Sequence, residues 1–260
     1  MNTLTIDIGN SKTKVDSWSD DGLISREAEG EVSIDEIVKL VEDLKIKGII
    51  VSSVRRLTPM LSQQLRNLPE CKIVDFDKYE ISRYSDRINY NGNIGADRIA
   101  AFIGAEALMS KTSKLVIDAG TAITFDLIDA EGNFLGGNIS LGLHQRMKAL
   151  AQSTGLLPLV DNCNSCADFG TNTVEAIYTG AINGIKGEVS YTCKLAKEKY
   201  NTEKVVITGG EGDTIWSTIF HDWEDIIKDP YLVGRGLNYH LRKFYFPQDF
   251  LITKFHESLC

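Results

Sequence analysis

Apolar and polar residues alternate at the start of the chain, with Leu4, Ile6 and Ile8 in step, and this predicts a β-strand. Segments 15–18 and 22–27 continue the pattern and supply two more strands of a meander. The period then changes. Ile34, Ile37, Val38, Val41 and Leu44 recur at helical spacing, and Ser33 with Glu36 forms a capping-box pattern, so a helix is expected over 33–46. A short β-branched run over 48–53 reads as a buried strand. A helix over 58–67 and a strand over 72–75 follow. Gly95-Ala96-Asp97-Arg98 then opens an apolar helix marked by Ile99, Phe102, Ile103 and Leu108.

The pattern restarts after residue 112. Strands are predicted over 114–118, 121–128 and 133–140, with helices over about 141–152 and 172–199. A strand at 204–208, a helix, a short strand and a last helix over about 231–246 complete the chain. The order β-β-β-α-β-α therefore appears twice. The clearest echo sets Leu4-Thr5-Ile6-Asp7-Ile8-Gly9-Asn10-Ser11 against Leu115-Val116-Ile117-Asp118-Ala119-Gly120-Thr121-Ala122. Each is an apolar strand, then Asp-x-Gly, then a small polar residue. The repeat predicts two related α/β domains facing each other, 1–112 and 113–260, with no long linker between them.

Composition narrows the class of partner. The chain has 260 residues, 43% apolar and 25% charged, which is ordinary for a folded globular protein and argues against disorder or a fibrous structure. A formal net charge of −8 argues against a broad nucleic-acid-binding face. It leaves room for a phosphate ligand held by a few N–H groups and one lysine. The first residues carry no basic stretch followed by an apolar one, and no apolar run approaches the ~20 residues of a spanning helix. Five scattered cysteines form no disulfide framework, so a cytoplasmic protein with reduced thiols and no membrane partner is expected. Cys163 and Cys166 have CxxC spacing, but no second ligand pair is placed to complete a zinc site, and a loop that happens to hold two thiols is the plainer reading.

The candidate chemistry gathers at the repeated loops. Asp7 ends a strand and is placed to hold Mg²⁺, directly or through water. Gly9 allows a tight turn and close approach to a ligand, Asn10 and Ser11 offer donors to phosphate oxygens, and Lys14 adds a positive charge. A plain hairpin turn is the competing reading. The second copy at Asp118-Ala119-Gly120-Thr121 favours phosphate, because two such hairpins can flank one polyphosphate chain. Two carboxylates near phosphates also call for cations. Gly209-Gly210, at the end of a β-branched strand, suits a backbone lying flat against an adenosine. Asp97 reads either as a helix N-cap or as a general base, and spacing alone favours the cap. Arg98 reads either as a solvated first-turn charge or as an anion anchor. Asn172 to Glu175 match a cap and first turn, and Ala176, Gly180, Gly184 and Gly187 then mark one face of the long helix. Glycine costs ~1 kcal/mol in a helix interior, so something approaches that face closely, either a neighbouring helix or a second subunit.

Taken in order, Asp7-x-Gly-Asn-Ser-x-x-Lys14, Gly95-Ala-Asp-Arg98, Asp118-Ala-Gly-Thr-Ala-Ile-Thr124, Gly136-Gly-Asn-Ile-Ser140, Asn172-Thr173 and Gly209-Gly210 resemble the motifs of type III pantothenate kinases. The resemblance covers essentially the whole chain. It implies two duplicated actin-like (ribonuclease H-like) domains, each a mixed five-stranded sheet flanked by helices, and a homodimer. It implies transfer of the ATP γ-phosphate to the terminal hydroxyl of pantothenate, the first step of coenzyme A synthesis. On the same basis Asp7, Ile8, Gly9, Asn10, Ser11, Lys12, Thr13 and Lys14 form the first phosphate loop, and Thr121 contacts an ATP phosphate. Asp97 is the proton acceptor, Gly95, Ala96, Asp97 and Arg98 form part of the pantothenate site, and Tyr90 contacts the substrate. Asp118 holds a monovalent cation, K⁺ or NH₄⁺, and Thr173 reaches pantothenate across the dimer. Two departures stand out. Leu141-Gly142 replaces the family's usual Pro-Gly and is expected to loosen that turn, and the stretch 89–94 lacks an expected proline. Two competing functions are a kinase for another small alcohol and a nucleotide-binding regulator of the same fold.

Overall fold

The computed structural model describes residues 1–54, 65, 68, 71–161, 168–212 and 225–248. The expected helix over 58–67 (Leu65 aside), the helix after Gly212 and the Cys163/Cys166 pair lie outside them. The described chain divides into two compact units, Met1–Ser110 with Tyr231–Cys260, and Lys111–Pro230.

In the first unit, β1 (Asn2–Ile8), β2 (Thr13–Ser19) and β3 (Gly22–Gly30) form the antiparallel meander that the alternation predicts. Helix α1 (Ile34–Asp43) begins at Ser33, whose side chain accepts from the Glu36 N–H while the Glu36 carboxylate accepts from the Ser33 N–H, so the expected capping box is formed. The strands β4 (Ile46–Ser53) and β5 (Lys72–Asp75) add in parallel, giving the sheet order β3-β2-β1-β4-β5. Leu4, Ile6, Ile49 and Val51 from the central strands pack with Ile37 and Val41 of α1 as the core of this layer. A short helix α2 (Lys78–Ser82) and a 3₁₀ turn over 85–87 follow. Both escaped the sequence reading. The signal was Asp77, whose carboxylate accepts from the N–H groups of Tyr79 and Glu80 as an N-cap. Helix α3 (Ala96–Leu108) then carries the Gly-Ala-Asp-Arg segment.

The second unit repeats the plan with β6 (Lys114–Ala119), β7 (Ala122–Ile128), β8 (Phe134–Leu141), helices α4 (Leu143–Ser153) and α5 (Thr173–Tyr200), then β9 (Lys204–Thr208) and β10 (Ile226–Lys228). Its sheet order, β8-β7-β6-β9-β10, matches the first when both are read from the outer meander strand. Leu115, Ile117, Phe125, Val205 and Ile207 pack against Ile185 and Val189 of α5.

One expectation fails. The last helix, α6 (Leu232–Tyr245), belongs to the first unit and not to the domain expected over 113–260. The reason is a glycine-to-backbone contact between α3 and α6. A Cβ on Gly104 would stand 2.2 Å from the Leu232 carbonyl oxygen, and one on Gly236 would stand 1.8 Å from the Ala100 carbonyl oxygen. Helices this close bury a continuous apolar seam, and only glycine permits the approach.

Candidate active site

The first Asp-x-Gly segment is a hairpin turn at the end of β1. Asp7 pairs in register with Lys14 on β2 and with Ser52 on β4, and Ile8 pairs with Thr13. The Gly9 N–H donates to the Lys12 carbonyl at 3.0 Å, which closes the turn and leaves Asn10 and Ser11 exposed at its tip. A Cβ on Gly9 would stand 3.1 Å from that carbonyl oxygen. Lys12 points back to Glu29 on β3, Nζ to Oε1 3.1 Å, and this cation holds the Glu29 carboxyl below the usual range.

The start of α3 settles two alternatives. The N-cap position is Gly95, with Asp97 second in the helix, so Asp97 does not cap it. Instead the Asp97 Oδ1 accepts from the Arg98 N–H at 2.9 Å, and a Cβ on Gly95 would stand 2.4 Å from that same oxygen. Gly95 thus leaves room for the carboxylate. Arg98 is not a solvated charge, being only 6% exposed. Its guanidinium lies 5.8 Å from the centre of the Tyr90 ring, so the structure brings Tyr90 and Arg98 together beside Asp97. Arg87 fixes the approach to this loop by pairing with Glu106 at 2.6 Å.

In the second unit the candidates converge more tightly. Asp118 pairs in register with Thr124 on β7 and Thr208 on β9, the counterparts of Lys14 and Ser52 around Asp7. The Gly120 N–H donates to the Ala122 carbonyl at 2.9 Å, as Gly9 does to Lys12. Gly209 has φ +94°, and a Cβ there would meet the Ala119 carbonyl oxygen at 2.3 Å and the Asp118 Oδ1 at 2.5 Å. Only glycine fits that backbone and that approach. Gly210 has open space around it. The Leu141-Gly142 turn, expected to be loose, is held closely: the Gly142 N–H donates to the Thr121 carbonyl at 3.0 Å, and a Cβ on Gly142 would stand 2.0 Å from the Gly120 carbonyl oxygen. Sequence reasoning missed Glu211. Its N–H donates to the Ala119 carbonyl at 2.8 Å, and its carboxylate accepts from the Leu143 N–H at 3.0 Å. Its adjacency to Gly209-Gly210 was the available signal.

The donor set here is oxygen: the Asp118 carboxylate, backbone carbonyls, and the buried Thr124 hydroxyl, for which no hydrogen-bond partner is found among the described residues. That chemistry suits a hard cation. No three His, Cys, Asp or Glu side chains gather as a metal cluster among the described residues. A cation there would therefore rest on one carboxylate with carbonyl, hydroxyl and phosphate oxygens.

Thr173 lies apart from these residues. It is exposed at the start of α5, where Asn172 caps by accepting from the Glu175 N–H at 3.1 Å. It lines a cleft of about 480 Å³ with Leu150, Asn172, Ile177 and Gly180, and none of the residues of the Asp-x-Gly loops or of the Gly95–Arg98 segment lines that cleft. Among the described residues the small-residue face of α5 is only partly covered. Ala176, Gly180, Gly184 and Gly187 are all exposed; among the described residues nothing stands near a Cβ at Gly180 or Gly187, while the Arg146 side chain of α4 would lie 3.2 Å from one at Gly184.

Duplicated mixed sheets, each carrying an Asp-x-Gly hairpin at the end of its first strand, define a protein of the actin-like class. The fold is similar to that of a Baf family protein of Campylobacter jejuni, with TM-score 0.58, 23% identity and coverage of 92% of this chain and 98% of that one. It is also similar to the activator of the 2-hydroxyisocaproyl-CoA dehydratase of Clostridium difficile, with TM-score 0.51, 16% identity and coverage of 100% and 98%. The model of the type III pantothenate kinase family matches residues 3–195. A type III pantothenate kinase of Bacteroides fragilis is 33% identical over 238 residues, 90% of this chain and 95% of that protein. One from Porphyromonas gingivalis is 44% identical over 156 residues, a match that spans 58% of this chain and 63% of that protein's length. The chain belongs to the type III pantothenate kinase family, whose members phosphorylate pantothenate in coenzyme A biosynthesis.

Proposed function

We propose that this chain transfers the γ-phosphoryl group of ATP to the terminal hydroxyl of pantothenate, giving 4′-phosphopantothenate. The observation that carries the reading is the family match over 3–195, which encloses every motif residue from Asp7 to Thr173. In the reaction, the hydroxyl oxygen bonds to the γ-phosphorus as the bond to the bridging oxygen of ADP breaks. Asp97 takes the hydroxyl proton late, because a phosphoryl transition state is loose. Its half-buried position and its fixed bond to the Arg98 N–H suit a carboxylate that orients an acceptor. Arg98 anchors the pantothenate carboxylate, and Tyr90 walls the same pocket. The Asp7–Lys14 turn, Thr121 and the Gly209-Gly210 turn are assigned to ATP. Asp118 is assigned to K⁺ or NH₄⁺ and Asp7 to Mg²⁺, and these ions would neutralise phosphate charge when bound. The exposed small-residue face of α5, next to Thr173, is assigned to a homodimer contact. A cytoplasmic location fits the absence, among the described residues, of any helix long and apolar enough to cross a membrane.

Replacing Asp97 by Asn tests the central assignment. It keeps the shape and the bond to Arg98 but removes the basic carboxylate. Turnover is expected to fall by about 10²-fold or more with ATP affinity within about twofold of the parent, as measured by steady-state kinetics and nucleotide titration. Unchanged turnover would remove Asp97 from the role of base.

A further inference from the structure

We infer that Glu211 is a positioning residue for ATP, acting by locking the Gly209-Gly210 turn to the second Asp-x-Gly loop. The inference rests on the kinase reading for what the turn binds. Helix α4 begins at Gly142, which has no side chain to cap it and cannot be exchanged for a residue that has one, since a Cβ there would stand 2.0 Å from the Gly120 carbonyl oxygen. The first N–H groups of a helix have no partner within it. Here the Leu143 N–H is satisfied from far along the chain, by the Glu211 carboxylate at 3.0 Å. A negative group at this helix end also suits the positive end of the helix dipole. The same residue donates its own N–H to the Ala119 carbonyl, at the end of the strand that presents Asp118. Glu211 therefore spans two segments, the β6 end and the α4 start, and it follows directly on the two glycines. With the carboxylate removed, the turn keeps its backbone bond to Ala119 but loses its tie to α4, and can swing away from Thr121 and Asp118.

The test is titration of Mg·ATP into the full-length protein and its Glu211→Ala and Glu211→Gln variants. Circular dichroism melting confirms that each variant is folded. Glutamine keeps an acceptor for Leu143, while alanine does not. Loss of a charge-assisted bond predicts roughly tenfold weaker ATP binding for Glu211→Ala, with Glu211→Gln within about threefold of the parent. Pantothenate affinity, titrated separately, is expected to stay within about twofold in both. ATP affinity unchanged in Glu211→Ala overturns the inference. So does a Glu211→Gln variant as weak as alanine, because the charge and not the bond would then matter, and so does equal weakening of both ligands. If the parent binds ATP but turns over no pantothenate, the kinase reading fails while the titration series still decides the role of Glu211.

Discussion

His240 is fully buried on α6 and has a partner on each ring nitrogen. Nε2 lies 2.8 Å from the Glu80 carboxylate, so it carries a hydrogen, and Nδ1 lies 2.9 Å from the Tyr84 hydroxyl. Burial pushes the Tyr84 phenol above its ordinary range, so it remains a donor, and His240 sits there neutral. Burial is the main cause that holds the His240 pKa below its usual value. The Arg83 and Lys243 cations push the same way, and Glu80 opposes them. The sign follows directly: at acid pH the unfolded chain takes up a proton that the folded chain resists, so stability is lost as pH falls below about 6.5. Glu80 acts in the same direction at lower pH. Burial raises its pKa, but hydrogen bonds from Tyr245, Arg83 and His240 outweigh that and hold it below the usual carboxylate range. The melting temperature is expected to drop between pH 6.5 and 5.5, and to drop less in a His240→Gln variant. Equal slopes for the two proteins would contradict the assignment. Little of this was legible in the sequence, where His240 is one of four dispersed histidines. Local chemistry was legible: Ser33 with Glu36 and Asn172 with Glu175 form the caps that their spacing predicts. For Asp97, spacing alone favoured a cap, because a cap and a second-position carboxylate differ by two residues and only the backbone at Gly95 decides between them.

Periodicity placed most elements within a residue or two, because strand and helix periods are properties of short windows. The strands at Lys72–Asp75 and Lys204–Thr208 match their predicted spans. Helix α2 was missed because five residues carry too little period to register. Helix α5 shows how an element can be read correctly while its use stays open. Its glycines suggested close packing, and among the described residues nothing stands within 4 Å of a Cβ at Gly180 or Gly187. In the proposed homodimer a partner copy would account for residues that weaken a helix standing on its outer face. Sedimentation equilibrium is expected to return twice the chain mass of 28.8 kDa, and a Gly180→Leu substitution to shift the protein toward monomer. A parent that sediments as a monomer at micromolar concentration would end the dimer assignment.

The whole molecule is a duplication whose last element crosses back. Both halves keep the same strand order, and the repeated Asp-x-Gly echo was enough to see this. The return of α6 to the first unit was not visible, because Gly104 and Gly236 have no periodic signature and their meaning lies in a contact between segments distant in sequence. The same limit hid Glu211, whose partner Leu143 is 68 residues away. Residues that act through such distant contacts are set by tertiary structure, whereas the Asp-x-Gly hairpins are set by local turn chemistry and were legible as motifs.

The decisive measurement is ATP-dependent phosphorylation by the full-length protein with Mg²⁺, with the product mass read for pantothenate and for a panel of other small alcohols, with K⁺, with NH₄⁺ and with neither ion. A phosphorylated product is expected from pantothenate alone, dependent on K⁺ or NH₄⁺. ATP bound without any product from pantothenate would contradict it.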